Sequence, residues 1–547
     1  MKKLRNVVIA GILFVASFVL VGFMRDPDIY FLIKKNFTIF SEVYREVSLH
    51  YVDKVNPTKL MRKGIDAMLE SLDPYTVLFD ESDNQNMEII TRGSYGGVGL
   101  DVGYRGGKIV VIAPMEGYSA YRKGIRTGDV IIAVDGVSVE SMSPDQVQNL
   151  TTGQPGTSVT LQVRRYGIDH PLTFKLERQR IEVKNIAYSG LVGEQKDVGY
   201  IMLSRFSQNT AEEIRNAIQK LQSRTKLGGL ILDLRNNPGG LLDEAVGTVD
   251  KFIPPGVKVV ETRGRLSQHN DVFRTRETAL APDLPLVILQ NGGSASASEI
   301  VAGALQDLDR AVIMGQQSFG KGLVQVVRHL SYNTALKITT ARYYIPSGRS
   351  IQSVTYTHDS DNNVVKKPDS LRKAFTTRDG RTVYDGNGIT PDVKIPEPHP
   401  TLLQSSLQHQ NQYFDFANQY AATHDSLAVK IRSDKLFKDF TDFLYQRNFH
   451  YQIPSEAYLS KIDSSLNGQN IESDIKAIRQ NIEEQKKKAF DNQRYAIEKD
   501  LYIELLARYK GEREQKAAQL PYDKLVKQAV NLLHNPARYN SILAGPK

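Results

Sequence analysis

Two segments of the chain combine residue types that could cleave an amide bond. The first, Asn291-Gly-Gly-Ser-Ala-Ser-Ala-Ser-Glu299, follows an apolar run and enters an amphipathic stretch. At such a strand-to-helix turn a serine is a candidate nucleophile, because the amide of the next residue and the helix dipole both favour developing negative charge. The second segment, 316–325, places Lys321 between two glycines at the start of an apolar run. A lysine kept neutral by apolar surroundings can serve as the base.

The serine segment also has a purely structural interpretation. Ser296-x-x-Glu299 is a capping box, in which the hydroxyl and the carboxylate satisfy free amides of the first helical turn. A capping serine and an attacking serine occupy the same kind of turn. Both interpretations therefore remain open on this segment alone.

A third segment could supply hydrogen-bond donors to an oxyanion. Leu232-Asp-Leu-Arg-Asn-Asn-Pro-Gly-Gly240 ends an apolar strand in a glycine turn, whose amides can point at one site. None of the ten histidines lies in these segments, and His269 sits in a polar stretch that predicts a loop. A histidine base is therefore not indicated.

Composition limits the other chemistries. The 547 residues contain no cysteine, which excludes thiolate nucleophiles, cysteine-bound metals and disulfides. The net charge of +9 is small for this length and the basic residues are interleaved with acidic ones, so no nucleic-acid partner is predicted. A hydrophobic fraction of 41% is ordinary for a globular protein with several domains.

The N-terminus predicts membrane targeting. Lys2, Lys3 and Arg5 precede the uncharged run 7–24, which is long for a signal peptide and short for a spanning helix. No Ala-x-Ala site ends the run, so we expect an uncleaved anchor rather than a cleaved peptide. The basic start predicts a cytoplasmic N-terminus, with the body of the protein outside the cytoplasm.

Periodicity divides the rest of the chain into four regions. Residues 27–90 predict helices, and 91–175 predict a mainly-β module with glycine turns. Strands and helices alternate between 176 and 395, including predicted strands at 198–203, 229–234, 286–289, 311–314 and 323–327 and helices beginning at Thr210, after Leu241 and at Ser296. Residues 400–547 predict a charged helical region without a chemical motif. The fold class expected is an α/β core with an inserted mainly-β module and helical regions at both ends.

These motifs together closely resemble the carboxyl-terminal processing peptidases, or tail-specific proteases. The resemblance rests on Ser-Ala-Ser-Ala-Ser-Glu, Phe-Gly-Lys-Gly-Leu-Val-Gln and Asp-Leu-Arg-Asn-Asn-Pro-Gly-Gly, and it covers roughly residues 30–395. It implies that Ser296 is the nucleophile and that Lys321, 25 positions later, is the base. It also implies that Gln325 orients the lysine and that the amides of Gly240 and Ala297 form the oxyanion hole. Ser294 and Ser298 are then structural.

The same resemblance implies a crotonase-like core and a PDZ domain at 91–175. Tyr95-Gly-Gly-Val-Gly-Leu100 is a glycine loop that enters a strand, so the backbone at Gly96, Gly97, Val98 and Gly99 is predicted to bind a peptide C-terminus. The expected substrates are proteins or peptides with free apolar C-termini, cleaved without metal or cofactor. Family members use extra helical segments, which suggests a homo-oligomer or a regulatory role for 400–547.

One position departs from the family pattern. Members often carry an arginine that couples peptide capture to activation, and Thr152 occupies the expected place in Asn149-Leu-Thr-Thr-Gly-Gln-Pro-Gly156. Coupling through that arginine is therefore in doubt for this chain.

Other functions fit the sequence less well. Residues 315–321 match the first seven positions of a P-loop, but Gly322 stands where magnesium needs Ser or Thr, and a strand follows instead of a helix. A non-catalytic PDZ scaffold predicts loss of Ser296, Lys321 or the glycine turn, and all three are present. The sequence also lacks the His-Glu-x-x-His motif of zinc proteases.

Overall fold

The computed structural model describes residues 27–80, 93–356, 364–397, 400–427, 431–465 and 472–545. The predicted membrane segment 7–24 lies outside these ranges. Within them, no helix is both long enough and apolar enough to cross a membrane. The chain divides at Leu78 into two compact units, which we describe separately.

The first unit contains two helices, so the prediction of helices over 27–90 is confirmed as far as Glu70, whereas 77–79 form a strand and 81–90 lie outside the described residues. They are α1 (Pro27–His50) and α2 (Pro57–Glu70), and the short strand β1 (Val77–Phe79) follows. Asn56 caps α2 by accepting a hydrogen bond from the Lys59 amide at 3.1 Å. On α1 the apolar Phe37 and Val43 are 70% and 56% exposed, so this periodicity marks an apolar side on the surface.

The second unit begins with a mainly-β module, which extends to Glu182 rather than to the expected boundary at 175 because its last strand pairs with its first. Its elements are β2 (Ser94–Gly97), β3 (Leu100–Arg105), β4 (Lys108–Pro114), α3 (Ser119–Arg122), β5 (Val130–Val134), β6 (Val137–Ser138), α4 (Pro144–Thr151), β7 (Ser158–Arg164), β8 (Leu172–Glu177) and β9 (Gln179–Glu182). An antiparallel sheet has the order β3-β4-β5-β7-β8, and β2 pairs with β9. Val111, Leu161 and Val163 are fully buried at its core. β3 is an edge strand, and α4 packs beside it.

The alternating region forms the next layer. Its elements are β10 (Ile186–Val192), β11 (Val198–Leu203), α5 (Thr210–Gln222), β12 (Gly229–Asp233), α6 (Leu242–Val249), β13 (Lys258–Gly264), β14 (Asp271–Arg274), β15 (Leu286–Gln290), α7 (Ala297–Asp307), β16 (Val312–Gly315), β17 (Leu323–His329), β18 (Ala335–Tyr344), β19 (Val354–Tyr356), β20 (Val364–Lys366), β21 (Ala374–Thr376), β22 (Thr382–Tyr384) and β23 (Val393–Lys394). The predicted strand at 198–203 and the helix starts at Thr210 and after Leu241 are confirmed.

A six-stranded sheet organises this region. Its order is β10-β11-β12-β15-β16-β23, with β10 antiparallel and the remaining neighbours parallel. The carboxyl ends of β12 and β15 therefore meet at one edge, where the glycine turn and the serine turn begin. β17 and β18 pair in a separate antiparallel sheet that also contains β13 and β14.

The chain ends in helices. They are α8 (Leu402–His409), α9 (Gln412–Thr423), α10 (Asp434–Gln446), α11 (Pro454–Ser465), α12 (Glu472–Asn492), α13 (Arg494–Tyr509), α14 (Glu512–Gln519), α15 (Lys524–Leu533) and α16 (Pro536–Ala544). Helices α8 to α10 and α13 share an aromatic core that includes Phe416, Phe440 and Phe443.

The last two helices belong to a different core. α5, α6 and α7 cover one face of the six-stranded sheet. The opposite face, which includes Ile231 and Val287, packs against Val526, Val530 and other apolar residues of α15 and α16. The end of the predicted C-terminal region therefore forms the second helical layer over the predicted catalytic sheet.

Candidate active site

Ser296 lies at the turn between β15 and α7. Its φ of +56° is unusual for a residue with a side chain, so the turn is strained and held by its surroundings. Ala295, Ala297, Ser298 and Glu299 are all buried, whereas Ser296 itself is half-buried. Among residues 294–299, Ser296 is thus the one that remains accessible.

The serines on either side hold the turn against the glycine motif. The Ser294 hydroxyl donates to the Leu234 carbonyl at 2.8 Å, and the Ser298 hydroxyl donates to the Asn237 carbonyl at 2.9 Å. The Ala295 amide donates to that same Asn237 carbonyl at 3.0 Å. Both hydroxyls are therefore used structurally, as the sequence predicted.

Two backbone amides at this junction have no acceptor among the residues that the structure describes. Neither the Gly240 N–H nor the Ala297 N–H donates a hydrogen bond to any residue in the described ranges. Gly239 brings the two turns together, because a Cβ there would lie 2.6 Å from the Ala295 carbonyl oxygen and 2.8 Å from the Ala297 nitrogen. Free amides beside a serine can bind a negatively charged oxygen.

Lys321 lies on the loop between β16 and β17. The residue is half-buried, and its amide donates to Glu299 Oε2 at 2.9 Å. The Ser296 amide donates to the same oxygen, also at 2.9 Å. The two predicted dyad residues, which are 25 positions apart in sequence, thus share one acceptor atom.

The other carboxylate oxygen of Glu299 binds the same loop. The Ser318 hydroxyl and the Gly320 amide donate to Oε1 at 2.6 and 2.7 Å. Glu299 is fully buried, and burial raises the pKa of its carboxyl to about 7 despite these four hydrogen bonds. The group can therefore change charge near neutral pH.

Tyr343 on β18 closes the site from another side. Its side chain is 1% exposed, and its hydroxyl contacts the Ser296 carbonyl at 3.2 Å and also the Lys321 carbonyl. Sequence analysis missed Tyr343, which carries no signal in its own segment. It also interpreted Glu299 only as a helix cap. The capping position was the one sequence feature that could have marked this residue as part of the site.

Gln325 lies on β17 at a bulge in the pairing with β18. Its side-chain amide donates to Thr339 Oγ1 at 3.1 Å. Orientation of Lys321 by Gln325 remains a prediction.

The predicted peptide-binding residues lie at the start of the edge strand β3. Gly96 and Gly97 belong to β2, and Val98 and Gly99 connect β2 to β3. Among the described residues, the Val98 and Gly99 amides donate to no acceptor, while their carbonyls accept from Ala120 and Met115 at 3.0 and 2.9 Å. The loop therefore offers free donors beside an open strand edge and α4.

Thr152 terminates α4. The residue is 6% exposed, and its hydroxyl donates to the Asn149 carbonyl at 3.0 Å. A cation does lie at this helix end, because the Arg178 guanidinium donates to the Leu150 carbonyl at 2.8 Å and to the Ser158 carbonyl at 3.0 Å.

A cavity of about 880 Å³ lies between the β module, the six-stranded sheet and the C-terminal helices. Its lining includes Arg105 at the end of β3, Gln290 at the end of β15, and Glu397. The Glu397 carboxylate accepts from the Asn291 side-chain amide at 3.2 Å, which places the cavity beside the serine turn. Neither Ser296 nor Lys321 lines it.

The described ranges contain no group of three or more His, Asp or Glu residues that could hold a metal ion. The arrangement around Ser296 offers a hydroxyl, two amides without an acceptor among the described residues, and a lysine whose backbone amide shares the acceptor of the Ser296 amide. These are the parts needed for acyl transfer.

Three segments of the chain match known protein families. Residues 197–361 match peptidase family S41, 110–165 match a PDZ domain, and 403–533 match the C-terminal helical domain of a probable PDZ-protease. A carboxy-terminal-processing protease from Bartonella bacilliformis is 40% identical over 339 residues, covering 61% of this chain and 76% of that protein.

Two further relatives extend the comparison. A probable CtpA-like serine protease from Staphylococcus aureus is 32% identical over 401 residues, covering 71% of this chain and 79% of that protein. Among solved structures, a photosystem II D1 C-terminal processing protease is 28% identical, with a TM-score of 0.35, and covers 69% of this chain and 96% of that one.

Proposed function

Because the chain belongs to peptidase family S41, as a carboxy-terminal-processing serine protease with a PDZ domain, we propose that Ser296 is its nucleophile and Lys321 its general base. The observation that carries this proposal is the shared acceptor: Glu299 Oε2 binds the amides of both residues at 2.9 Å. One buried atom therefore holds the backbones of both predicted groups at a common point.

The proposed reaction proceeds in two stages. The neutral amine of Lys321 takes the Ser296 proton as the hydroxyl oxygen attacks the substrate carbonyl, and the amides of Gly240 and Ala297 bind the resulting oxyanion. The lysine then donates its proton to the leaving amine, which breaks the peptide bond and leaves an acyl-enzyme. Water activated by the same lysine hydrolyses the ester and regenerates the serine.

The PDZ domain supplies the proposed substrate preference. The free amides of Val98 and Gly99 can donate to a terminal carboxylate, and the edge of β3 can pair with an extended peptide. We therefore infer that substrates are proteins or peptides with free apolar C-termini.

The proposed location in the cell rests on the N-terminal sequence. The basic residues Lys2, Lys3 and Arg5 before the uncharged run 7–24 support an inner-membrane anchor with the catalytic body on the outer side. Cell fractionation with protease accessibility tests this part. A mature N-terminus that lacks residues 1–24 would indicate cleavage instead of anchoring.

The dyad is tested by substitution. Ser296→Ala and Lys321→Ala should each abolish cleavage of an unstructured reporter peptide, because nucleophile and base act as a unit. Ser223→Ala and Lys220→Ala are matched controls on the exposed end of α5 and should retain full activity. Near-normal turnover by either dyad variant would reject the assignment.

Activity without metal or nucleotide distinguishes this mechanism from a zinc protease and from a nucleotide-dependent enzyme. Purified protein should cleave the reporter in EDTA and without ATP, since serine and lysine supply all the proton transfers. Loss of activity in EDTA, or a requirement for ATP, would contradict the dyad mechanism.

A further inference from the structure

Glu299 makes more contacts than helix capping needs. As a cap of α7, the Glu299 side chain needs only the hydrogen bond that Oε2 accepts from the Ser296 amide. The other three donors are Ser318, Gly320 and Lys321, which follow Glu299 by 19, 21 and 22 positions on the loop before β17. The carboxylate therefore joins the nucleophile turn to the lysine loop.

These contacts require a negatively charged carboxylate. Each oxygen accepts two hydrogen bonds, so the ionised group is matched by four donors. Three of these donors are backbone amides, which cannot accept a proton, and the Ser318 hydroxyl is the one member of the four that could. A protonated Glu299 would either reverse its bond with the Ser318 hydroxyl or direct its O–H at a backbone amide, and the NH2 of a glutamine would face at least one of the three amides. That change would loosen one side of the link.

The link matters because neither joined residue lies in regular secondary structure that would fix its backbone. Ser296 has a strained φ of +56°, and Lys321 lies on an irregular loop between two strands. Catalytic groups lose activity steeply when displaced, with about 1 Å costing on the order of 100-fold. A fixed distance between the two backbones thus has a direct functional value.

Resting on the proposed function, we propose that Glu299 is a positioning residue of the Ser296–Lys321 pair, and that its ionised carboxylate is required for full turnover. It does not touch the substrate carbonyl. It acts by holding the two backbone segments together.

The surroundings of Glu299 give the proposal a pH signature. Two titratable residues lie on the elements that face Glu299, namely Lys321 on the loop and Tyr343 on β18. Asp385 comes just before the Gly386–Gly388 segment, which lies against Ser318. The Asp385 carboxylate is already bound by the Lys367 amine at 2.8 Å. Burial raises the pKa of Glu299 to about 7, so its carboxylate becomes protonated under mildly acidic conditions. Turnover then depends on two deprotonations, those of Glu299 and Lys321.

The test compares Glu299→Gln with wild type over pH 5 to 10. In wild type, the logarithm of kcat/KM should rise with pH with a limiting slope of about two on the acid side, because two groups must lose protons. In Glu299→Gln the slope should fall to about one, and kcat should drop roughly 100-fold with little change in KM. Labelling of Ser296 by a fluorophosphonate should slow in parallel.

Asp250→Asn is the matched control. Asp250 is also buried, its carboxylate accepts the Arg276 amide at 2.8 Å, and burial raises its pKa, but it lies at the end of α6. This variant should keep the wild-type slope and kcat. Equal changes in Asp250→Asn and Glu299→Gln would overturn the proposal, because any buried carboxylate would then serve.

A second variant covers the case in which Glu299→Gln does not fold. Ser318→Ala removes one donor to the ionised carboxylate, which should raise the pKa of Glu299 and move the acid limb to higher pH. If the acid limb of Ser318→Ala does not move, or if a folded Glu299→Gln keeps the wild-type kcat and slope, Glu299 acts only as a helix cap. Activity in Ser296→Ala would instead reject the dyad itself, so the two failures are distinguishable.

Discussion

Arg235 and Asp523 are 288 positions apart in sequence, yet their side chains form an ion pair at 2.7 Å. Arg235 belongs to the glycine motif after β12 and also binds Asp233, with Nε to Oδ1 at 3.0 Å. Burial alone would lower the pKa of Arg235, but the carboxylates of Asp233 and Asp523 raise it. The guanidinium thus stays charged and fastens the C-terminal helices to the turn that carries Gly240.

The first prediction concerns this connection. Asp523→Ala removes the ion pair and also the cap of α15, where Asp523 accepts the Leu525 and Val526 amides at 2.9 and 3.1 Å. We expect a loss of roughly 2–3 kcal/mol in the free energy of unfolding, measured by urea denaturation. Ser433→Ala is the matched control, because Ser433 caps α10 without an ion pair and its loss should cost about 1 kcal/mol. Equal losses would show that the ion pair contributes nothing.

The second prediction concerns the contact between the two turns. Gly239→Ala should lower kcat/KM at least about 100-fold, because the new Cβ would force apart the amides and the serine that must act together. Gly256→Ala shares the positive φ, at +90° against +96°, but its Cβ would meet nothing within 4 Å. It should therefore lose some stability and keep its activity. Similar kinetics for both variants would refute the steric explanation.

The third prediction concerns the peptide terminus. Binding of an apolar peptide to the Ser296→Ala chain should weaken at least about tenfold when its C-terminus is amidated, because the Val98 and Gly99 amides lose a charged acceptor. Fluorescence anisotropy measures this difference. Acetylating the N-terminus of the same peptide is the control and should leave the affinity unchanged. Equal affinity of the acid and the amide would exclude terminal carboxylate recognition.

The fourth prediction concerns Thr152. A saturating non-cleavable tail peptide should stimulate cleavage of a short reporter only modestly. A ligand shifts an equilibrium by no more than its difference in affinity for the two states. Thr152 cannot supply the charged contact by which the family arginine would create that difference. A variant lacking residues 94–170 serves as the comparison. Strong stimulation in wild type would show that another residue replaces the family arginine. Arg178, already bound to the end of α4, is then the first residue to substitute.

The fifth prediction concerns stability and follows from the sign of the Glu299 shift. The pKa of Glu299 is raised from 4.5 to about 7 in the folded chain, so folding favours its neutral form. Its contribution to stability is present below pH 4.5 and is lost as the pH rises to 7, by on the order of 3 kcal/mol. Relative to Glu299→Gln, wild type should therefore lose stability between pH 5 and 8 in urea titrations, while its activity rises. A constant difference between the two proteins would contradict the raised pKa.

The sequence by itself determined the local structure of the catalytic segments. Apolar runs, glycine turns and the capping box placed strands at 198–203 and 286–289 and a helix start at Ser296, because these signals depend on neighbouring residues. Serine and lysine motifs that could carry out acyl transfer were also visible in the sequence, and the resemblance to a known family assigned the roles to Ser296 and Lys321. The secondary-structure predictions use information within about ten residues of each position.

Only the tertiary structure decided which distant groups meet. No local pattern indicates that Glu299 binds Ser318 and Lys321, or that Tyr343 contacts the Ser296 carbonyl, because each contact joins separate elements through the path of the chain. The assignment of α15 and α16 to the sheet is of the same kind. The apolar sides of these helices predict that they are buried, but they do not indicate which element they pack against. In the structure they pack against the face of the six-stranded sheet that α5, α6 and α7 leave uncovered.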